Sequence, residues 1–194
     1  IAQLNRFFDK LMQILSEGHS DNYDFDYDRI VSFGEYLSTT IISVFLNQMG
    51  VHNHWVDACK IIRTDNTYRE GRVNWEVTSQ EVKKQVETIE QTDNSKPIII
   101  TQGFIAGTSE KLRTTLGREG SDYTAAIIAY SLDAKDVTIW KDVPGLLNAD
   151  PKLFPDAVKL DAIPYREAIE LSYYGASVIH PKTLKPLRDK QIPL

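Results

Sequence analysis

The sequence has few of the features that mark secreted, membrane-spanning or nucleic-acid-binding proteins. A single cysteine, Cys59, excludes an internal disulfide framework and fits a reducing compartment. We find no apolar run that approaches the ~20 residues of a transmembrane helix, and we expect no signal peptide. The formal net charge of -5 argues against a general nucleic-acid binder, which would carry a basic face. We therefore expect a cytoplasmic protein without nucleic-acid or membrane partners.

The length and composition fit a single globular domain. A chain of 194 residues with 42% hydrophobic and 25% charged residues can bury a sizeable core. The chain has no initiator methionine, Ile1 already lies inside a helical pattern, and residues 191–194 stop where we expect a strand to begin. These ends indicate a fragment of a longer protein.

Hydrophobic spacing predicts that helices and strands alternate along the chain. Apolar residues at helical spacing predict helices over 1–15, 31–50, 79–90, 121–132, 165–174 and 182–190. Alternating or continuous β-branched runs predict strands over 51–62, 73–78, 98–100 and 136–140. This alternation is typical of an α/β protein with a mostly parallel sheet covered on both faces.

Two patterns invite a metal-binding interpretation. The acidic run 21–28 lacks the central glycine and terminal glutamate of an EF-hand loop, so we expect an exposed acidic connector or a helix start. His52 and His54 would share one face of a strand, but a zinc site needs further ligands. We therefore expect these histidines to serve as polar surface or in local hydrogen bonds, and we predict no metal ligands.

The segment from Ile98 to Tyr130 carries the strongest local signal. A buried strand leads into a glycine-bearing loop, and Ser121-Asp122 marks the start of the next helix. Gly117 and Gly120 bracket Arg118-Glu119 there, so backbone amides, a guanidinium and a helix N-terminus converge. Such a combination favours an anion, although an ordinary strand-to-helix loop with a well-capped helix would show the same pattern.

Residues 114–123, TTLGREGSDY, closely resemble the TTLGRGGSDYSA signature of aspartate kinases in the amino-acid kinase family. Three further segments resemble the same family in order and spacing: SFGEYLST, IWKDVPGLLNADPK and ELSYYGASVIHPKTLKPL. The resemblance implies a three-layer sandwich around a mostly parallel sheet. It also implies that ATP, with Mg²⁺, phosphorylates the side-chain carboxylate of L-aspartate to 4-phospho-L-aspartate. That reaction is the first step of lysine, threonine and methionine biosynthesis.

The resemblance also assigns the residues that bind substrate. It implies that Glu35 holds the substrate ammonium and Arg118 its α-carboxylate, with Gly120 and Ser121 helping to seat that carboxylate. It further implies that Asp122 belongs to the catalytic machinery by orienting the catalytic lysines.

On the nucleotide side, the resemblance points to residues near the C-terminal end of the chain. They are Lys141, Asp142, Leu147, Lys152, Ser177 and Val178, with Leu147 at a position near the adenine that often holds tyrosine. Lys141 replaces a usual threonine, and Ser177 replaces a usual lysine. We expect Lys141 to supply the positive charge lost at position 177.

Other departures affect what the chain can do alone. Glu119 stands where the signature has glycine, so we expect its carboxylate to point to solvent or to a cation. The family's opening Lys-Phe-Gly-Gly-Thr-Ser strand and its C-terminal regulatory domains are not in the 194 residues. We therefore expect residues 1–194 to be a catalytic-domain fragment that lacks its first strand and has little kinase activity alone. The full-length protein should be a homo-oligomer.

Two alternatives remain. The chain could belong to another amino-acid kinase that acts on acetylglutamate, glutamate or a nucleoside monophosphate. Glu35 discriminates here, because a free α-ammonium requires such a carboxylate and an acylated amine does not. The chain could instead be a non-catalytic ligand-binding module that has kept the site without the chemistry.

Overall fold

The computed structural model describes residues 2–93, 96–143, 145–173 and 178–194. The chain divides into two compact units, residues 1–124 and 125–194. The first unit contains α1 Ala2–Glu17, α2 Tyr23–Gln48, β1 Asn53–Val56, α3 Ala58–Ile61, α4 Trp75–Thr92, β2 Ile98–Thr101, β3 Ile105–Gly107 and β4 Arg113–Thr115. Helix α5, Gly120–Leu132, begins in the first unit and ends in the second, which also holds α6 Tyr165–Tyr173 and α7 Pro181–Asp189.

The strands of the first unit form two small sheets. β1 and β2 pair in parallel with Trp55 opposite Ile100, and β3 and β4 pair antiparallel with Ala106 opposite Thr114. Helix α2 packs against β1, β2 and β4, while α3 packs against β3. The predicted α/β class with parallel pairing is confirmed. Ile98, predicted to be interior, is exposed at the start of β2.

Helix α2 is the central helix of the first unit. Its start is fixed by Asn22, whose side chain accepts the Phe25 N–H at 3.1 Å. The acidic run 21–28 is therefore a helix start, as predicted, but the expectation of exposure is wrong because Asp28 is fully buried. The buried face of the helix contributes Tyr36 to a core cluster with Ala58 and Ile105.

α2 also meets a criterion that the sequence did not reveal. Within the described residues, α2 has the length and composition that would allow a helix to cross a membrane. The expectation that no segment meets this criterion is therefore wrong. A core helix meets the same criterion, and the packing of α2 against three strands assigns it to the core of the first unit.

Capping side chains explain two errors in the predicted strands. The predicted strand 51–62 ends at Val56, because Asp57 accepts the Cys59 N–H at 3.1 Å and starts α3. The predicted strand 73–78 is wrong, because Asn74 accepts the Val77 N–H at 3.1 Å and starts α4 there. The predicted cap at Ser79 consequently lies inside the helix.

The second unit has a helical core. Ala126 and Ala129 of α5 pack against Leu187 of α7 and against Ile192. Helix α7 begins after His180, whose Nδ1 accepts the Lys182 N–H at 3.2 Å. The helices predicted at 165–174 and 182–190 are confirmed, although the expected stop at Gly175 lies outside the described residues.

The strand predicted at 136–140 is wrong. Val137 donates its N–H to the Pro193 carbonyl at 2.9 Å, but Pro193 has no N–H with which to continue a ladder. The segment stays irregular, and Trp140 is 92% exposed.

Candidate substrate and nucleotide sites

The loop between β4 and α5 has a backbone that few side chains tolerate. Gly117 has φ +76°, and a Cβ there would lie 3.1 Å from the Arg69 carbonyl oxygen. Glu119 has φ +52°, a left-handed conformation that favours glycine. Arg118 lies between them with an exposed side chain. The loop therefore presents a guanidinium directly before the N-terminus of α5.

Glu35 reaches this helix start from a distant part of the sequence. Its half-buried carboxylate accepts the backbone N–H of Gly103. A Cβ at Gly103 would lie 2.7 Å from both Cβ and Oγ of Ser121, so the two backbones are in close contact. The structure thus brings Glu35 into the neighbourhood of the first residues of α5 through Gly103.

The environment of Glu35 affects its ionisation. Burial raises the pKa of the Glu35 carboxyl above its ordinary value, and the Gly103 amide partly opposes that rise. The charged form is therefore costly unless a cation compensates it. An ammonium group would supply that compensation.

Helix α5 is held tightly at its start. Thr124 Oγ1 accepts the Phe104 N–H at 3.0 Å and donates to the Gly120 carbonyl at 2.9 Å. A Cβ at Gly120 would lie 2.7 Å from the Phe104 ring. Asp122, in the first turn, is half-buried, with its Oδ2 fully buried. This rigid helix start combines amide donors with an exposed guanidinium, and Glu35 adds a carboxylate nearby, a set complementary to an α-amino acid.

The second unit contains a cavity of about 690 Å³, a size typical of small-molecule sites. Lys141 and Val178 lie in its wall, among mostly apolar residues that include Ile139, Leu160 and Ile179. It therefore offers one cation beside a largely apolar surface, which suits a nucleotide.

The other predicted nucleotide residues lie in different surroundings. Leu146 lines the cavity, whereas Leu147 forms an isolated bridge with Lys159. Asp142 and Lys152 are exposed and not part of the cavity wall, and Lys152 donates its N–H to Asp150 in the predicted turn. Ser177 lies outside the described residues.

His52 is exposed, as expected of a polar surface residue, whereas His54 has a hydrogen-bond partner that is distant in sequence. His54 Nε2 lies 3.0 Å from Asp93 Oδ2 and joins β1 to the end of α4. Within the described ranges, no group of three or more His, Cys, Asp or Glu side chains is placed to hold a metal ion.

Sequence reasoning missed two residues that shape the site. Gly103 follows β2 and makes the close contact with Ser121, and a glycine directly after a predicted strand was the available signal. Asp28 is buried on α2 at seven residues from Glu35, a spacing that places both on one face of a helix.

Fold and site together define an α/β protein with a helix N-terminus whose amides and neighbouring guanidinium are suited to an anion. The chain belongs to the amino acid kinase family, whose model matches residues 5–194.

Among similar proteins is lysine-sensitive aspartokinase 3 of Escherichia coli, 37% identical over 167 residues, which are 86% of this chain and 36% of that protein. Aspartokinase 1, chloroplastic, of Arabidopsis thaliana is 39% identical over 86% of this chain and 29% of its own length. A crystal structure of E. coli aspartokinase III in complex with aspartate and ADP superposes with a TM-score of 0.88 and 32% identity, covering 98% of this chain and 42% of that one. The chain thus spans well under half of each of these relatives.

Proposed function

We propose that this chain forms the catalytic part of an aspartate kinase, which transfers the γ-phosphoryl group of ATP to the side-chain carboxylate of L-aspartate. The observation that carries the proposal is the approach of Glu35, through Gly103, to the start of α5 beside Arg118. The E. coli structure that resembles this chain holds aspartate and ADP, which supports the same ligands here.

Two of the substrate's three charged groups have a counterpart in this arrangement. Glu35 pairs with the α-ammonium, and Arg118 grips the α-carboxylate with its planar fork. The amides near Gly120 and Ser121 complete the seat for that carboxylate. The side-chain carboxylate is then left to react, while Asp122 orients the cations around it.

The nucleotide binds the second unit. Lys141, in the cavity wall, neutralises phosphate charge and takes the place of the lysine that relatives of this type usually carry at position 177. Val178 and the apolar wall face the base, and the Ser177 backbone, Asp142, Leu147 and Lys152 stay predicted contacts.

The reaction needs little covalent assistance. A carboxylate oxygen of aspartate attacks the γ-phosphorus, the bond to the β,γ-bridging oxygen breaks, and ADP leaves with 4-phospho-L-aspartate as product. Because the carboxylate is already a nucleophile, the protein's residues act by positioning two anions and by neutralising charge.

Mg²⁺ fits this site in the way it fits most nucleotide sites. It usually takes one or two carboxylates and the substrate's phosphates, and the described residues of the cavity wall offer a single carboxylate, Asp161, rather than a dedicated cage. When bound, the ion neutralises charge on the transferring phosphoryl group.

The test uses the longest natural polypeptide that contains this sequence. ADP release should require L-aspartate and should be absent with N-acetylglutamate, glutamate or uridine monophosphate. In parallel, isothermal titration of the 194-residue chain should show binding of L-aspartate and no binding of N-acetyl-L-aspartate, whose acylated amine cannot pair with Glu35. Equal binding of both compounds, or release of ADP with another acceptor, would overturn the proposal.

Another amino-acid kinase activity is not favoured, because the curated relatives named above are aspartokinases. A non-catalytic binding module would bind L-aspartate without releasing ADP, so the same assays separate it. The cytoplasmic location and the homo-oligomer stay predictions, and the Arabidopsis relative is named chloroplastic.

A further inference from the structure

Asp28 is a buried carboxylate that the proposed chemistry leaves without a role. Its side chain is 0% exposed. Oδ2 accepts the backbone N–H groups of Arg69 and Thr115, both at 2.8 Å, and Oδ1 accepts the Thr115 hydroxyl at 2.8 Å. One side chain of α2 thus holds two segments that are far apart in sequence.

Both segments lead to the Arg118 loop. Thr115 is the last residue of β4, and its carbonyl accepts the Gly71 N–H at 2.8 Å. The Arg69 carbonyl, in turn, lies where a Cβ at Gly117 would approach it at 3.1 Å. β4, the turn at Arg69 and Gly117 therefore pack together, and Asp28 anchors them by its hydrogen bonds to Arg69 and Thr115.

The turn at Arg69 needs such an anchor. Arg69 has φ +66°, a left-handed conformation that is unfavourable for a residue with a side chain and persists only where surroundings hold it. The hydrogen bond to Asp28 fixes the amide of that residue, and an ion pair with Asp24 at 3.3 Å adds a second tie to α2.

The same helix face carries Glu35. Asp28, Ser32 and Glu35 are spaced four and three residues apart, so they follow one side of α2. Ser32 Oγ accepts from Arg113 Nη1 at 3.1 Å, which adds a second contact between this face and β4. Helix α2 therefore carries both Glu35, the proposed partner of the ammonium group, and Asp28, which supports the Arg118 loop.

We propose that Asp28 is a positioning residue, which fixes the Arg118 loop at the distance from Glu35 that a small α-amino acid requires. The identity of that amino acid rests on the proposed function, but the fixing of the loop does not.

The three hydrogen bonds favour the charged form of Asp28, whereas its burial favours the neutral form. Burial raises the pKa of the Asp28 carboxyl, and the hydrogen bonds from Arg69 and Thr115 oppose that rise. Asparagine is neutral and has a single acceptor oxygen, so an Asp28→Asn side chain loses the charged acceptor for the two backbone N–H groups and turns an NH₂ donor toward the Thr115 hydroxyl. The volume stays the same and only the anchoring changes.

Asp26 supplies a matched control. It lies on the same helix, is 7% exposed, and pairs with Arg29 Nε at 2.9 Å and with the Ser20 amide, not with β4. Asp26→Asn should therefore lower stability without changing the Arg118 loop.

Hydrogen exchange and titration, both on the folded chain, form the test. Asp28→Asn should speed amide exchange across residues 113–121 and weaken L-aspartate binding at least about tenfold, as expected for loss of a buried charge-assisted anchor. Its ATP affinity should change less than about twofold, since the nucleotide does not contact this segment in the proposed arrangement. Asp26→Asn should show neither effect.

Thr115→Val keeps the test decisive if Asp28→Asn does not fold. It removes one donor and leaves the backbone contact, so smaller changes of the same kind are expected. Unchanged exchange across 113–121 in a folded Asp28→Asn chain, or equal changes in Asp26→Asn, would refute the positioning role. Failure of the wild-type chain to bind L-aspartate would instead reject the proposed function, while the exchange data would still decide the role of Asp28.

Discussion

Glu119 occupies a backbone position that suits glycine. Its φ of +52° costs a residue with a Cβ about 1 kcal/mol relative to glycine. Its side chain also brings a carboxylate next to the guanidinium proposed to bind an anion. Two separate penalties, one conformational and one electrostatic, therefore meet at this residue.

Two substitutions at position 119 separate these penalties. Glu119→Gly should raise Tm by about 2–4 °C and also tighten L-aspartate binding, because it relieves both the strain and the repulsion. Glu119→Ala should tighten binding without raising Tm, since alanine keeps the strained φ. Calorimetry and titration check both values, and a lower Tm for the glycine variant would contradict the strain argument.

Glu35 should make ligand binding and stability respond to pH in opposite ways. Because its pKa is raised above the ordinary value of 4.5, the affinity for L-aspartate should begin to fall at a higher pH than an ordinary glutamate would give. A carboxyl with a raised folded-state pKa binds its proton more readily when folded, so its contribution to stability falls as pH rises from 4.5 through the folded pKa.

Glu35→Gln is the corresponding test. It keeps an acceptor for the Gly103 amide and removes the charge, so Tm at pH 7 should rise while L-aspartate affinity falls by roughly 10-fold or more. At a pH below 4 the two proteins should have similar Tm values. A variant that binds L-aspartate as tightly as the wild type at pH 7 would exclude Glu35 as the ammonium partner.

At the scale of helices and strands, the site depends on the close contact between the loop that follows β2 and the start of α5. Gly103→Ala would force a Cβ to within 2.7 Å of Ser121, so one backbone must move. The expected cost is about 1–3 kcal/mol of stability, with a loss of L-aspartate affinity of roughly tenfold. Thermal unfolding and titration measure the two effects.

Gly34→Ala is the matched control. Gly34 lies on α2 next to Glu35, and a Cβ there meets nothing within 4 Å. Because glycine inside a helix is unfavourable by roughly 0.5–1 kcal/mol relative to alanine, this variant should gain stability and keep its affinity. If both alanine variants weakened binding equally, the close approach at Gly103 would not be the cause.

The presence of the long helices was predicted well because their signals are local, although α2 begins at Tyr23 and α4 at Trp75, both before the predicted starts at 31 and 79. The apolar spacing of α1 and the Ser-Asp start of α5 place those helices to within a residue or two. The strand errors come from side chains that act on the backbone. Asn74 starts a helix within a β-branched run, and Pro193 gives residues 136–140 no ladder to join. The Asn74 cap is a local signal that the β-branched run obscured, whereas the contact with Pro193 is distant in sequence and cannot be read from a short window.

At the scale of the whole molecule, the two compact units hold different parts of the proposed chemistry. The substrate residues lie in residues 1–124 and the nucleotide residues in 125–194. Lys141→Ala should therefore weaken ATP binding by roughly tenfold through loss of a phosphate partner, and should leave L-aspartate binding in the absence of nucleotide unchanged.

Lys135→Ala serves as its control, because Lys135 is exposed, lies outside the cavity wall and is not among the predicted nucleotide contacts. It should change ATP affinity less than Lys141→Ala does. Fluorescence titration with a labelled nucleotide would measure both. Unchanged ATP affinity in Lys141→Ala would reject the proposal that this lysine supplies the charge lost at position 177.

The residues of the site were predicted from motifs, whereas their supports were not. Motifs that resemble a known family contain Arg118, Glu35 and Lys141. Asp28 and Gly103 act through a buried hydrogen-bond set and a close backbone contact, and both depend on which segments meet in space. Leu147 shows the converse. Its motif predicts a segment near the nucleotide, but Leu146, one residue earlier, is the leucine that lines the cavity.

The seven-residue spacing of Asp28 and Glu35 also limits how genes for such proteins can diverge. A helix turns about 100° per residue, so one codon inserted or deleted between these positions would swing one carboxylate away from its partner. Length variation among descendants should consequently accumulate elsewhere, for example in the turn-rich stretch 148–161, while this interval of α2 keeps a constant count of codons.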